Sequence, residues 1–341
     1  MITASHYAEA LVRLLLRADN DWLLVHPPHW DLLRRFARRG GVLVRVADRL
    51  AEIGVRPAPV FRASAELERR RVAAALALIQ RVEDACHEAG LDDFVFAKAF
   101  RHFPDISTEV DLLTLAPPRA INPVLERALG VAPQRGLAEW VAHASTFRVR
   151  GAGAELDVCH GRLGVLGEHV AYAAALVRSR RRITVGDTAF HTAAPEHQLV
   201  LQGMLRVYGH RSFRLADVIY TVRAIREGVD WDTVLRGARA TGTESGLSCY
   251  LSYVDRIHQR ACDAPLLDPV VAAALVRGNW GDTVFENGHF GFPAVRVGGG
   301  LYVQFLAHAL GRGDWRTAAR VTTMLPLAAV GVMTRALAVR N

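Results

Sequence analysis

The feature of this sequence that most constrains its fold is a change of pattern near residue 91 and again near residue 190. Outside these limits, apolar residues recur every three to four positions, the spacing typical of amphipathic helices. Between them, short apolar and β-branched runs bounded by glycine or proline predict strands. The predicted strands are 93–97, 110–115, 146–150, 155–159 and 182–185. We therefore predict an α+β chain with a small mixed sheet at 91–190, an N-terminal helical region at 1–90 and a C-terminal helical region at 191–341.

Several predictions about single elements are specific enough to be tested by a structure. Asn122 predicts the start of a helix that runs to about residue 129, because asparagine caps helices and the proline after it suits the first turn. Residues 196–208 predict one continuous helix. Residues 278–300, which are rich in glycine and aromatic residues, predict a long loop. The apolar stretch 324–339 is interrupted by proline and arginine, which predicts a buried terminal helix and not a membrane span.

Composition narrows the class of protein. Of the 341 residues 51% are hydrophobic, which excludes general disorder. The net charge is +8, with one lysine, Lys98, among 42 basic residues. This charge is compatible with phosphate-bearing partners, but no basic motif with interleaved aromatic residues favours nucleic acid. Four cysteines without a CxxC pair argue against a structural zinc site and against a disulfide framework, and they predict a cytoplasmic location. The N-terminal segment predicts an amphipathic helix and 324–339 is too interrupted to span a bilayer, so no membrane association is expected.

Two pairs of carboxylates carry the chemistry that the sequence predicts. Glu109 and Asp111 are two residues apart on one predicted strand, and Glu155 and Asp157 are two apart on another. Side chains two apart on a strand point to the same face, so the pairs converge if the strands are neighbours. Clustered carboxylates repel one another unless a cation lies between them, and hard oxygen ligands suit Mg²⁺ or Mn²⁺. The alternative is that these acids simply face solvent on a half-exposed sheet.

Three short motifs and their order resemble a known family. They are FVFAKAF at 94–100, STEVDLLTL at 107–115 and ELDVCHG at 155–161. Their order is an apolar strand that ends in a lysine turn, then an acid–apolar–acid strand, then a later strand with a lone aspartate. This order resembles that of nucleotidyltransferases of the DNA-polymerase-β superfamily. The closest likeness is to a poorly characterised bacterial branch of that superfamily. The segment 195–222 also resembles its C-terminal helix pair, and the likeness extends over about residues 10 to 260.

The resemblance implies a role for each matching residue. Glu109, Asp111 and Asp157 would hold Mg²⁺ or Mn²⁺, with Asp111 and Asp157 catalytic and Asp157 able to act as a base. The residues that would contact the nucleotide, expected to be ATP, are Lys98, Ala99, Arg101, His210, Arg214 and Asp217. The chain departs from the family pattern at two positions, where Ala99 replaces a glycine and Glu109 replaces an aspartate. Both changes put activity in question, because a Cβ crowds the phosphates and a longer acid alters the metal geometry.

The predicted function is therefore metal-dependent transfer of a nucleoside monophosphate from an NTP to an unknown acceptor, which would be a small molecule, a peptide or a protein. Two alternatives remain open. One is a non-catalytic binding module with the nucleotidyltransferase fold, which the two departures favour. The other is a nucleotidyltransferase that acts on RNA, for which strong salt dependence of RNA binding would be the sign.

Overall fold

A computed structural model of the chain describes residues 4–17, 29–98, 103–134, 143–164, 168–286, 288–293 and 297–322. Ala99 and Arg101, which the sequence predicts to contact nucleotide, lie outside the described residues, and so does the predicted terminal helix at 324–339. None of the helices in the described part of the chain is long and apolar enough to cross a bilayer.

Helices form most of the described structure. They are α1 (Ala4–Leu16), α2 (Trp30–Arg39), α3 (Leu43–Glu52), α4 (Pro59–Glu88), α5 (Pro118–Leu129), α6 (Ala171–Arg178), α7 (Pro195–Gln202), α8 (Leu215–Glu227), α9 (Trp231–Thr241), α10 (Glu244–Cys262), α11 (Pro269–Ala274) and α12 (Gly299–Gly311). A π-helix, Gly203–His210, continues α7 directly. Residues 315–322 are also helical.

The strands form two sheets. They are β1 (Phe94–Phe96), β2 (Glu109–Thr114), β3 (Ala144–Phe147), β4 (Glu155–His160), β5 (Arg181–Val185), β6 (Thr188–Thr192), β7 (Ser212–Arg214), β8 (Val284–Glu286) and β9 (His289–Gly291). The main sheet has the order β3-β4-β2-β1-β6-β5, and a small sheet has the order β7-β9-β8. Within the main sheet, β2 and β4 are parallel while β1 and β2 are antiparallel. The predicted α+β class and mixed sheet are confirmed.

The two faces of the main sheet are covered by different helices. Alternation along β2 turns Val110 and Leu112 to the face packed by α4 and α5, within a cluster that includes Phe94. The opposite face, to which Leu113 points, belongs to a second core. Buried residues of the N-terminal and C-terminal helices meet in that second core, so the helical regions at the two ends of the sequence pack against each other.

Several predicted elements differ from the structure. Helix α5 begins at Pro118 and not at Asn122, because a proline fits the first helical position and the chain uses it there. Asn122 is inside the helix, and its side-chain amide donates to Ser145 Oγ at 2.9 Å. Strand β6 was not predicted, although its partner β5 was. The predicted loop at 278–300 contains β8 and β9, which pair with each other and with β7.

The predicted helix at 196–208 becomes a π-helix after Gln202, and two glycines explain how it packs. A Cβ on Gly203 would lie 2.7 Å from Leu247 Cα, and a Cβ on Gly246 would lie 2.2 Å from the Tyr208 ring. The π-helix and α10 therefore approach each other backbone to backbone at Gly203 and backbone to side chain at Gly246. The π-helix ends at His210, and the next residue, Arg211, has a left-handed backbone with a φ of 54°.

Candidate functional site

Parallel pairing of β2 with β4 brings the predicted acids together. The register places Glu109 opposite Glu155 and Asp111 opposite Asp157. One ligand oxygen from each of Glu109, Asp111 and Asp157 lies within 4.8 Å of the other two. We call these three residues the acid cluster. Asp111 at its centre is only 8% exposed, whereas Glu109 at its edge is open to solvent.

The electrostatics of the acid cluster favour a bound cation. Burial raises the pKa of the Glu109 carboxyl, and the negative charges of Asp111 and Asp157 raise it further. The pKa of Asp157 is also raised, mainly by burial, against the lowering effect of a hydrogen bond from Thr146. The Glu109 and Asp157 carboxyls thus resist ionisation because burial, and then the neighbouring carboxylates, disfavour their charged forms, and a divalent cation between them would offset that penalty.

Lys98 supplies one positive charge at the cluster. It follows the end of β1, and its ammonium group forms an ion pair with Asp111 Oδ1. Both side chains are largely buried, so this pair is stronger than an exposed one. Lys98 therefore contacts an acid that is also a candidate metal ligand, and it lies where it can reach a phosphate group bound beside that acid.

A second group of cations comes from the C-terminal helices, and Asp217 holds it in place. Asp217 has no exposed surface. Its carboxylate accepts from Arg206 Nη2 at 2.9 Å, from Gln202 Nε2 at 3.2 Å and from the Arg214 backbone N–H at 2.8 Å. Asp217 therefore positions the side chain of Arg206 and the backbone of Arg214, and its predicted contact with nucleotide stays a prediction.

His210 and Arg214 belong to the electrostatic surroundings of the acid cluster. Burial lowers the pKa of His210 to about 4, and the positive charges of Arg206 and Lys98 lower it further. Burial and Arg206 also lower the pKa of Arg214, while the negative charges of Asp217 and Glu109 oppose that change. Neutral His210 is therefore a hydrogen-bonding group at neutral pH, and Arg214 is a cation that acts on Glu109.

The loop that leads into β2 is fixed from two sides. Arg71 of α4 donates from Nη1 to the carbonyl oxygens of Ser107 at 2.8 Å and Gly153 at 3.1 Å, and its Nη2 donates to Ile106. Asp105 is buried, and its carboxylate accepts from the backbone N–H groups of Val44 and Arg45. Arg71 ends a run of three arginines at 69–71, a pattern typical of a solvated helix face, yet its guanidinium is part-buried and holds this loop.

The hairpin β3–β4 supports Asp157 and borders an open groove. Thr146 Oγ1 donates to Asp157 Oδ1 at 2.6 Å, which fixes one carboxylate oxygen and leaves the other available. Glu155 is paired with Arg148 at 2.7 Å and does not join the acid cluster. A groove of about 540 Å³ starts at Glu109 and runs between Arg148 and the hairpin loop. It offers space for a ligand beside Glu109.

His160, three residues after Asp157 on β4, belongs to a hydrogen-bonded group that supports the fold. It is buried, and its Nε2 lies 3.0 Å from Ser145 Oγ, which in turn contacts Asn122. It does not belong to the acid cluster. Sequence reasoning missed Arg71, Thr146 and Arg206, and only the threonine had a usable signal, because it lies opposite Asp157 in a predicted hairpin.

Comparison with known proteins gave no match, whether with family models, with curated proteins or with solved structures.

Proposed function

We propose that this protein is a metal-dependent nucleotidyltransferase that moves a nucleoside monophosphate from an NTP, with ATP as the expected donor, to an acceptor. One observation carries the proposal. Six-residue parallel pairing of β2 with β4 brings the carboxylates of Glu109, Asp111 and Asp157 within 4.8 Å of one another, next to the only lysine. Convergent carboxylates beside a phosphate-binding cation are what phosphoryl and nucleotidyl transfer require.

The donor set of the acid cluster fits Mg²⁺ or Mn²⁺. All three ligands are carboxylate oxygens, and the pKa values of Glu109 and Asp157 are raised by burial and, to a smaller extent, by the neighbouring negative charges. When bound, such an ion would polarise phosphate oxygens and neutralise the charge that develops during transfer. Glu109, Asp111 and Asp157 would hold it, and Asp157 also lies where it can accept a proton from an acceptor hydroxyl.

The cations around the cluster would bind the nucleotide. Lys98 would act as a compact charge on a phosphate oxygen. Arg214, whose backbone N–H is fixed by Asp217, would add a second positive charge near Glu109. The groove between Glu109 and Arg148 would admit the acceptor, for which a small molecule, a peptide or a protein is proposed. We also propose a cytoplasmic location, which the four free cysteines support.

A second candidate is a non-catalytic binding module, and the Lys98–Asp111 ion pair favours it. The ammonium group already neutralises Asp111 without a metal. In such a module Lys98 replaces the charge that a cation would bring, and nucleotide binding would not depend on Mg²⁺. The two candidates therefore differ in a measurable property.

Calorimetric titration with each of the four NTPs, with and without Mg²⁺, tests the proposal. We expect one NTP to bind only when Mg²⁺ is present. Asp157→Asn should weaken that binding roughly a hundredfold, since a metal ligand is lost. Glu155→Gln is the matched control, because Glu155 is on the same strand but pairs with Arg148, and it should leave affinity unchanged.

Two outcomes would contradict the enzyme. If no NTP binds in the presence of Mg²⁺, the nucleotidyltransferase proposal fails altogether. If an NTP binds equally well with and without Mg²⁺, and Asp157→Asn has no effect, the binding module is the better description.

A further inference from the structure

A second group of ionisable side chains lies away from the acid cluster, on the other face of the main sheet. It consists of Glu83 and His87, four residues apart on α4, and His191 on β6. One ligand atom from each lies within 4.8 Å of the other two. His191 Nδ1 is 2.7 Å from Glu83 Oε1, and His87 Nε2 is 3.4 Å from the same oxygen. We call these residues the mixed cluster.

We propose that the mixed cluster is a binding site for a divalent transition metal, with Zn²⁺ as the ion that it fits best. Two imidazole nitrogens and one carboxylate oxygen are ligands that zinc accepts, whereas Mg²⁺ prefers oxygen alone. Four-coordinate zinc with bonds near 2.0–2.1 Å needs ligand atoms about 3.3 Å apart. The observed separations of 2.7 and 3.4 Å bracket that value.

The unpaired oxygen of Glu83 is an independent sign of a missing partner. Glu83 is 2% exposed, and its Oε2 is fully buried without a hydrogen-bond partner in the described part of the chain. A buried polar atom without a partner costs stability. A metal held at Oε1 would also lie close to Oε2 and would offset the cost of burying that atom, whereas an ion pair of Oε1 with His191 alone leaves Oε2 without a partner.

Asp92 supplies the outer support that zinc sites commonly have. His87 Nδ1 lies 2.7 Å from Asp92 Oδ1, so the hydrogen bond to Asp92 fixes the ring and leaves Nε2 directed at Glu83. A carboxylate on the far nitrogen orients a ligating histidine and raises its basicity. Phe94 packs against both imidazole rings, with centroids 5.5 Å and 6.4 Å away, and limits their rotation.

The mixed cluster is accessible to an ion from solvent. The side chain of His87 is 40% exposed and that of His191 is 19% exposed. An ion bound here would keep one position open to water, since three protein ligands leave the fourth tetrahedral position free. It would join α4 to β6 across 104 residues of chain, the difference between positions 191 and 87. It would thus tie the strand next to the edge strand β5 to the longest helix that the structure describes.

Zinc titration of the full chain in excess Mg²⁺, which saturates the acid cluster, tests this proposal. We expect wild type to bind one equivalent of Zn²⁺ and to gain roughly 5 °C in Tm at saturating zinc. His87→Gln and His191→Gln should each weaken zinc binding at least about tenfold and abolish the gain in Tm. Titration with Co²⁺ should give the visible absorption of a four-coordinate ion in wild type and lose it in both variants.

His29→Gln is the matched control, because His29 is exposed before α2 and belongs to neither cluster. It should bind Zn²⁺ as wild type does. The half-exposed position of His87 makes its substitution compatible with folding, and Tm without metal checks this. Absence of stoichiometric zinc binding by wild type, or undiminished binding by both histidine variants, overturns the proposal. Neither result bears on NTP binding, so this test and that of the nucleotidyltransferase are separable.

Discussion

The acid cluster and the mixed cluster lie on opposite faces of one sheet and differ in how their side chains are brought together. In the acid cluster, strands β2 and β4 run in parallel over six paired residues, and the register alone aligns Asp111 with Asp157. In the mixed cluster, one helix supplies two residues and a strand that joins β1 through the single pair Phe96–Thr192 supplies the third. The first arrangement is local to two strands, and the second depends on how a helix packs on the sheet.

The neighbours of the two clusters also differ in charge. Cations approach the acid cluster, with Lys98 paired to Asp111 and Arg214 acting on Glu109. A carboxylate, Asp92, supports the mixed cluster. Surroundings rich in positive charge suit a metal that carries a polyphosphate, whereas an outer carboxylate suits a metal held by imidazole. We therefore propose separate ligands for the two clusters.

One variant in each cluster, with both ions measured on both variants, gives the largest expected effect. The pair tests directly whether the two clusters bind separate ions. Asp111→Asn should weaken Mg²⁺ binding roughly a hundredfold and leave Zn²⁺ binding unchanged, because it removes the central ligand of the acid cluster. Glu83→Gln should do the reverse. Calorimetry with both ions on both variants measures the four affinities. If either variant weakens both ions equally, the clusters are not independent and the comparison fails.

Asp217→Ala should have the next largest effect, on stability. It leaves the guanidinium of Arg206, only 14% exposed, without its buried partner. Breaking such a pair costs about 3–5 kcal/mol of the free energy of unfolding, which urea unfolding followed by circular dichroism measures. Glu227→Ala, which breaks the exposed pair with Arg223, is the control and should change stability by less than about 1 kcal/mol. A loss near zero at Asp217 would show that Arg206 has another partner.

Asp105→Asn should change how stability depends on pH. Burial raises the pKa of Asp105 from 3.8 to about 7. Between these values folded wild type keeps a proton that the unfolded chain releases, so its free energy of unfolding falls as pH rises. Relative to the asparagine variant, wild type should lose on the order of 1 kcal/mol per pH unit across that window.

Urea unfolding at several pH values checks this slope. Asp84→Asn, at an exposed carboxylate on α4, should show no such difference from wild type. A flat difference for Asp105 would mean that its two backbone hydrogen bonds outweigh burial. Asp105, which titrates in this pH range, thus holds the loop that leads into the acid cluster. In the described part of the chain, no comparable residue holds the mixed cluster.

Thr146→Val should give the smallest effect. The hydrogen bond from Thr146 fixes one oxygen of the Asp157 carboxylate, so its loss lets the carboxylate turn away from the orientation in which it would hold the ion. We expect Mg²⁺ affinity to fall about tenfold, which is typical of an outer-shell partner, while zinc binding stays the same. Thr184→Val, at an exposed position on β5, is the control. Equal Mg²⁺ affinity in both variants would exclude a supporting role for Thr146.

Much of the acid side of the molecule could be predicted from sequence because its determinants are local. Acids two apart on a strand share a face whatever the rest of the fold does, and the hairpin that carries Asp157 is marked by its glycines. The side chains that support the acid cluster from other elements could not be predicted. Arg71 reaches the loop before β2 through tertiary packing, and nothing in its arginine run distinguishes it from a solvated residue.

The mixed cluster shows a second limit of sequence reasoning. Glu83 and His87 have the four-residue spacing of one helix face, but His191 lies on a strand that periodicity did not predict. Four cysteines without a CxxC pair speak only against a zinc site built from cysteine ligands. They have no bearing on a site built from two histidines and a glutamate. Pairs of residues a hundred positions apart meet only through packing.

The π-helix between α7 and β7 fixes the angular position of everything that follows it. Gly203 and Gly246 lock it against α10 by close contact, so the segment cannot slide to absorb a change in length. Removal of one residue before Arg206 would turn Arg206 and His210 by roughly a quarter of a turn around the helix axis. The chain here should accept many replacements on its exposed side, yet lose the placement of Arg206 and His210 through a single-codon deletion.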